Sequence, residues 1–128
     1  MNADVETTLN NAKTAFEASK TTDNYSALQT AIENANTSIT AYAAAKSAID
    51  AAKDIQENTN VVTAAAATTF AEAIAAIETP YNNGSLTNDA AKAAGTTLGV
   101  VVSGWHGNAN GAAGKYMESA WDNVADFG

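Results

Sequence analysis

The chain has 128 residues, a formal net charge of −8 and neither cysteine nor arginine. That excludes disulfides, thiolate metal sites and a cysteine nucleophile, and it argues against nucleic acid or an anionic membrane surface, whose phosphates call for clustered lysine or arginine. Hydrophobic residues make up 46% of the chain and 31 of them are alanine, a residue that buries little area at about 25 cal/mol per Å² but favours helix formation and close helix approach.

The composition therefore predicts a slim helical bundle with a thin core. The acidic balance reads as solubility rather than as a binding signal. No apolar run reaches the roughly 18 residues that a membrane span needs, so no membrane insertion is expected. Met1-Asn2-Ala3-Asp4 carries neither the basic nor the apolar region of an export signal, which reads either as a cytosolic start or as an export signal lying outside this sequence.

The first periodic run places Val5, Leu9, Ala12 and Phe16 on one helical face. Asp4 and Glu6 sit near its start, where the helix dipole favours negative charge. Thr21-Thr22-Asp23-Asn24 then offers several N-caps in a row. Tyr25, Leu28, Ile32, Ala35, Ile39 and Tyr42 keep a three-four alternation, and Ala45, Ile49, Ala52 and Ile55 extend it. The spacing predicts one long helix over 23–56, roughly 50 Å in length, of which the first helix covers about half. Asn34 to Thr40 is its weak point, because short polar side chains compete for backbone groups, and a bend near Thr37 is expected there.

Glu57-Asn58-Thr59-Asn60 reads as a loop and cap. The third run carries Val62, Ala66, Phe70, Ile74, Ile77 and Tyr81 at near-fourfold spacing, with Pro80 placed to close or kink it. Asn82-Asn83-Gly84-Ser85 is a turn signal. Thr87 is the expected cap of a fourth helix, with Asp89 in its first turn and Leu86 as a staple. That helix uses Ala90, Ala94, Thr97 and Leu98; Gly95 weakens it and Gly99 ends it.

Near Gly95 to Gly99 the composition breaks. Seven of the eight glycines, both tryptophans and the only histidine lie from Gly95 onward. Val100-Val101-Val102-Ser103 reads as a short strand. Residues 104–114 are glycine, asparagine and alanine around Trp105 and His106, and 115–127 have either short-helix or strand character. The predicted organisation is an alanine-rich helical bundle over 2–99 and a Gly/Trp-containing tail over 100–128 that begins a following domain. Glycine's backbone entropy makes 104–114 the expected flexible part.

Asn24-Tyr25-Ser26-Ala27-Leu28-Gln29-Thr30-Ala31-Ile32-Glu33-Asn34-Ala35 resembles the middle helix of FIVAR-type modules. So does the Ala-Ile-x-x-Ala-x-x-Ile pattern of Ala48 to Ile55. Phe70 to Ile77, followed by Tyr81 to Thr87, is similar to a second, degenerate copy. The resemblance spans about residues 2–99 and departs from a single three-helix unit, since the long second run is shared between two units. The four periodic runs predict an all-α antiparallel bundle of about four helices, and the resemblance implies a secreted or cell-surface bacterial protein whose export signal lies outside this sequence. Such modules sit beside carbohydrate-active or glycan-binding domains and bring no catalytic residues.

The chemistry-bearing residues are few. Lys46, Asp50, Lys53 and Asp54 stand at helical spacings and read as ordinary exposed pairs rather than half a metal or acid–base site. His106 is the one side chain with an ordinary pKa near neutrality. An acid–base couple with Asp122 or Asp126 would need a distance that the sequence does not fix. Ser103-Gly104 forms no nucleophile elbow, and no phosphate loop occurs.

Trp105, Tyr116 and Trp121, interleaved with Asn108, Asn110 and Asn123, are the candidate ligand-binding residues. Aromatic faces stack on sugar rings and amides bond hydroxyls, although core anchors of a following domain would have the same composition. The expected function is a non-catalytic, monomeric spacer or interaction module that presents an adjacent glycan- or protein-binding domain, with no metal and no cofactor. Direct carbohydrate binding through the tail aromatics is the alternative. An intracellular helical adaptor, which would need an exposed apolar helix face, is the third class.

Overall fold

In a computed structural model of the chain, the structure describes residues 1–58 and 64–99. Among the described residues the fold is all-α, with no strand. The elements in chain order are α1 (Ala3–Ala18), α2 (Thr22–Asn58), α3 (Ala64–Asn83) and α4 (Asn88–Lys92). Residues 94–99 are helical as well. The strand expected at Val100 to Ser103 lies outside the described residues; of the loop expected at Glu57 to Asn60, Glu57 and Asn58 belong to α2 and the other two residues lie outside the described ones.

α1 is capped by Asn2, whose Oδ1 accepts from the N–H groups of Asp4 at 2.9 Å and Val5 at 3.3 Å. Asp4 and Glu6 occupy its first turn as expected. The helix packs on α2, the Phe16 ring meeting that of Tyr25 with centroids 5.8 Å apart. At its other end the Asn2 N–H donates to Ser38 Oγ at 2.9 Å. α1 therefore lies against the first half of α2. None of its residues is buried, and Val5, Leu9, Ala12 and Phe16 are half-buried.

α2 starts where the capping signal placed it, with Thr21 Oγ1 accepting from the Asn24 N–H at 3.1 Å. It runs unbroken for 37 residues, about 55 Å at the usual rise. Thr37 lies inside the unbroken helix, where its hydroxyl donates back to the Glu33 carbonyl four residues earlier at 3.1 Å, the back-bond typical of a mid-helix threonine. From Tyr42 to Ile55 the expected face is the buried one, at Tyr42, Ala45, Ile49, Ala52 and Ile55, whereas in the first half only Ala35 of the expected positions is buried. Ala31, Ala35, Ser38, Ala41, Tyr42, Ala45, Ala48, Ile49, Ala52 and Ile55 are buried, whereas Tyr25, Ile32 and Ile39 are exposed. Alanine and serine face inward in the first half because small side chains let α1 approach closely. One helix cannot also cover the isoleucines that flank this line.

Around the second half of α2 the core is complete. Phe70, Ile74 and Ile77 of α3 are buried with Leu86, Ala91, Ala94 and Leu98. Pro80 does not close α3, which continues through it to Asn83. The helix ends at Gly84, whose φ of +80° is cheap only for glycine. Asn83 Oδ1 then holds the next residue, accepting from the Ser85 N–H at 2.9 Å and its hydroxyl at 2.6 Å.

Thr87 caps α4 by accepting from the Ala90 N–H at 3.1 Å, and Leu86 is buried beside it. The helix is shorter than expected, with a break at Ala93, whose φ of −85° and ψ of −3° interrupt the regular spiral. The buried positions are Ala91, Ala94 and Leu98, while Ala90 and Thr97 face solvent. The inward face is thus displaced by one residue at its start.

Candidate functional site

The residues that sequence reasoning placed at a ligand site, Trp105, Tyr116 and Trp121, lie outside the described residues. So do His106, Asp122 and Asp126, and the asparagines between the aromatics. The charged cluster on α2 does not converge. Lys46 pairs with Asp50 at 2.8 Å, both side chains well exposed, and the hydrogen bond to Asp50 raises the lysine's pKa. An exposed pair of this kind adds little stability. Lys53 turns instead to Glu78 of α3, tying the two helices together. Among the described residues no group of three or more His, Cys, Asp or Glu side chains is arranged to hold a metal ion.

A concavity opens at the middle of α2. It is an open cleft of about 330 Å³ lined by Met1, Ala3, Glu6, Tyr42, Tyr81, Asn82, Asn83 and Gly84. Three distant segments build it. Tyr42 comes from α2, Tyr81 to Asn83 from the last turn of α3, and the third wall from the first turn of α1. The rings of Tyr42 and Tyr81 stack with centroids 5.3 Å apart and an interplanar angle of 30°.

Beneath the stack, the Tyr42 hydroxyl donates to the Leu86 carbonyl at 2.6 Å. Asn2 Nδ2 donates to the same carbonyl at 2.9 Å. Burial pushes the Tyr42 phenol above its ordinary pKa of 10.0, and nearby Tyr81 adds to the rise. Because the folded value is raised, the stability carried by the neutral phenol is fully present below pH 10.0 and is lost as pH rises through the folded value. Tyr42→Phe is expected to remove this alkaline dependence. Its cost at neutral pH should be about 0.5–1.5 kcal/mol, because the Leu86 carbonyl keeps Asn2 as a partner. Urea denaturation at neutral and alkaline pH checks both effects.

Chemically the cleft offers aromatic surface, two amide side chains and one carboxylate, Glu6. Its lining contains no nucleophile paired with a base. Such an arrangement suits weak polar contact rather than bond-making. Sequence reasoning read Tyr42 and Tyr81 as helix-face positions and missed the pairing, since they are 39 positions apart. The signal that was present is Asn2, a capping residue type directly before Ala3 and Asp4. No helix among the described residues is long and apolar enough to cross a membrane. Comparison with protein-family models, with curated proteins and with solved structures yields no match.

Proposed function

We propose that the chain is a non-catalytic helical spacer or interaction module of an exported bacterial surface protein. It presents a neighbouring domain toward a glycan or a protein. The observation that carries this reading is α2 itself, an unbroken 37-residue helix with packing partners along both halves. A continuous helix of about 55 Å keeps its two ends at a fixed separation. A loop-linked pair of units would not.

In this reading α1, α3 and the α4 region run antiparallel to their neighbours in a bundle of about four helices around α2. Residues 100–128 lead into the next module. The resemblance to FIVAR-type modules supports the surface location.

NMR titration of the labelled chain with a panel of mono- and oligosaccharides tests the proposal. The expected result is no shift among residues 1–58 and 64–99. Shifts at Tyr42, Tyr81, Asn82 and Asn83 would overturn the spacer reading and make the cleft a receptor. Shifts confined to Trp105, Tyr116 and Trp121 would instead favour direct glycan binding by the tail.

A further inference from the structure

The two halves of α2 are held very differently. Phe70, Leu98, Ala45 and Ala52 are fully buried around its second half. The first half is covered by α1, which buries no residue of its own. The bonds that tie α1 to the rest of the fold gather at its ends. At the start, the Asn2 N–H donates to Ser38 Oγ, Asn2 Nδ2 donates to the Leu86 carbonyl, and the Ala3 N–H donates to the Gly84 carbonyl at 2.8 Å. At the far end, Asn24 Nδ2 donates to the carbonyls of Ala15 at 3.2 Å and Ser19 at 2.8 Å. In between, the hydroxyls of Thr7 and Thr14 bond only back into α1, to the carbonyls of Ala3 and Asn10.

From this we infer that α1 is a strap: it undocks from α2 as a unit while the second half of the molecule stays folded, and the contacts of Asn2 and Ala3 are the latch that sets how often. A free helix of 16 residues is marginal in water, so the undocked strap melts. The first half of α2 then loses its partner and loosens with it. Undocking uncovers Ala31, Ala35 and Ser38 beside the already exposed Ile32 and Ile39. The inference concerns a minor open state and needs no ligand to test; in the closed state α2 stays continuous, as the spacer reading requires.

Gly84 provides an independent handle on the latch. A Cβ there would lie 2.8 Å from the Ala3 Cβ and 3.1 Å from the Ala3 nitrogen, and the φ of +80° adds strain. Gly84→Ala therefore pushes against the strap from outside the core, whereas Asn2→Ala removes the bonds of its own side chain. Native-state hydrogen exchange on the full chain, corrected for intrinsic rates, tests the inference.

Amides of residues 8–18 and 26–36 are expected to exchange at least about 100-fold faster than those of residues 45–55 and 70–77, through an opening that is not global unfolding. Asn2→Ala should speed exchange in 8–18 about tenfold and leave 45–55 unchanged, a tenfold change being about 1.4 kcal/mol. Gly84→Ala should widen the same gap. A common rate for both regions in the unsubstituted chain would overturn the strap. So would an equal acceleration of both regions in Asn2→Ala. The unsubstituted comparison decides the matter if either variant fails to fold.

Discussion

Phe70→Ala is expected to lower the unfolding free energy by about 3–5 kcal/mol, the usual cost of emptying a fully buried aromatic site. Phe70 is 0% exposed and sits among Ile74, Ile77, Tyr42 and the alanines of α2. Those alanines are too small to fill the space that the ring would leave. A domain of this size holds about 5–15 kcal/mol in total, so the variant loses a large share of its stability. Phe70→Leu, which keeps much of the volume, should cost less than about 1.5 kcal/mol. Urea denaturation followed by circular dichroism measures both. A loss below about 1 kcal/mol for the alanine variant would mean that α3 does not turn this face to the core.

Leu98→Ala is the second large effect, at about 2–5 kcal/mol. Leu98 lies next to the last described residue and is still 0% exposed. A leucine at a fraying helix end would cost a few tenths of a kcal/mol to truncate. One locked into the core with Ala91 and Ala94 costs as much as any interior leucine. The midpoint of thermal unfolding should fall by several degrees. An unchanged midpoint would show that residues 94–99 contribute nothing to the core.

Much of the helical plan was legible in the sequence, and the reasons are local. The start of α2 follows from the run of capping residues, and Thr87 caps α4 because the same rule applies there. Phe70, Ile74 and Ile77 were recognisable because large apolar residues at fourfold spacing leave one choice of face. The inward face of early α2 was not recognisable on those terms. Periodicity gives weight to Ile32 and Ile39, but the helix contact there is set by how closely backbones approach, which selects Ala31, Ala35 and Ser38. Pro80 misled for a related reason. Its missing N–H removes one bond near the end of α3, and the following turn at Gly84 is what ends the helix. The cleft was hidden because its walls come from the first turn of α1, the middle of α2 and the end of α3. No short-range pattern links those segments.

The continuity of α2 through Ser38 and Tyr42 also has a consequence for angular phase. These two residues, four apart, hold one locus: Ser38 takes the Asn2 N–H, and Tyr42 shares the Leu86 carbonyl with the Asn2 side chain. In a rigid helix each added residue turns everything beyond it by about 100° and advances it by about 1.5 Å. A single residue inserted between Ser38 and Tyr42 would swing the α1-bearing half about a quarter turn away from the carbonyl that Asn2 must reach. Seven inserted residues would nearly restore the angle but would displace the halves by about 10 Å along the axis. No insertion restores both angle and height. Substitutions on the solvent side of this stretch leave the geometry intact, whereas its length in residues is a fixed gauge between the two ends of the molecule.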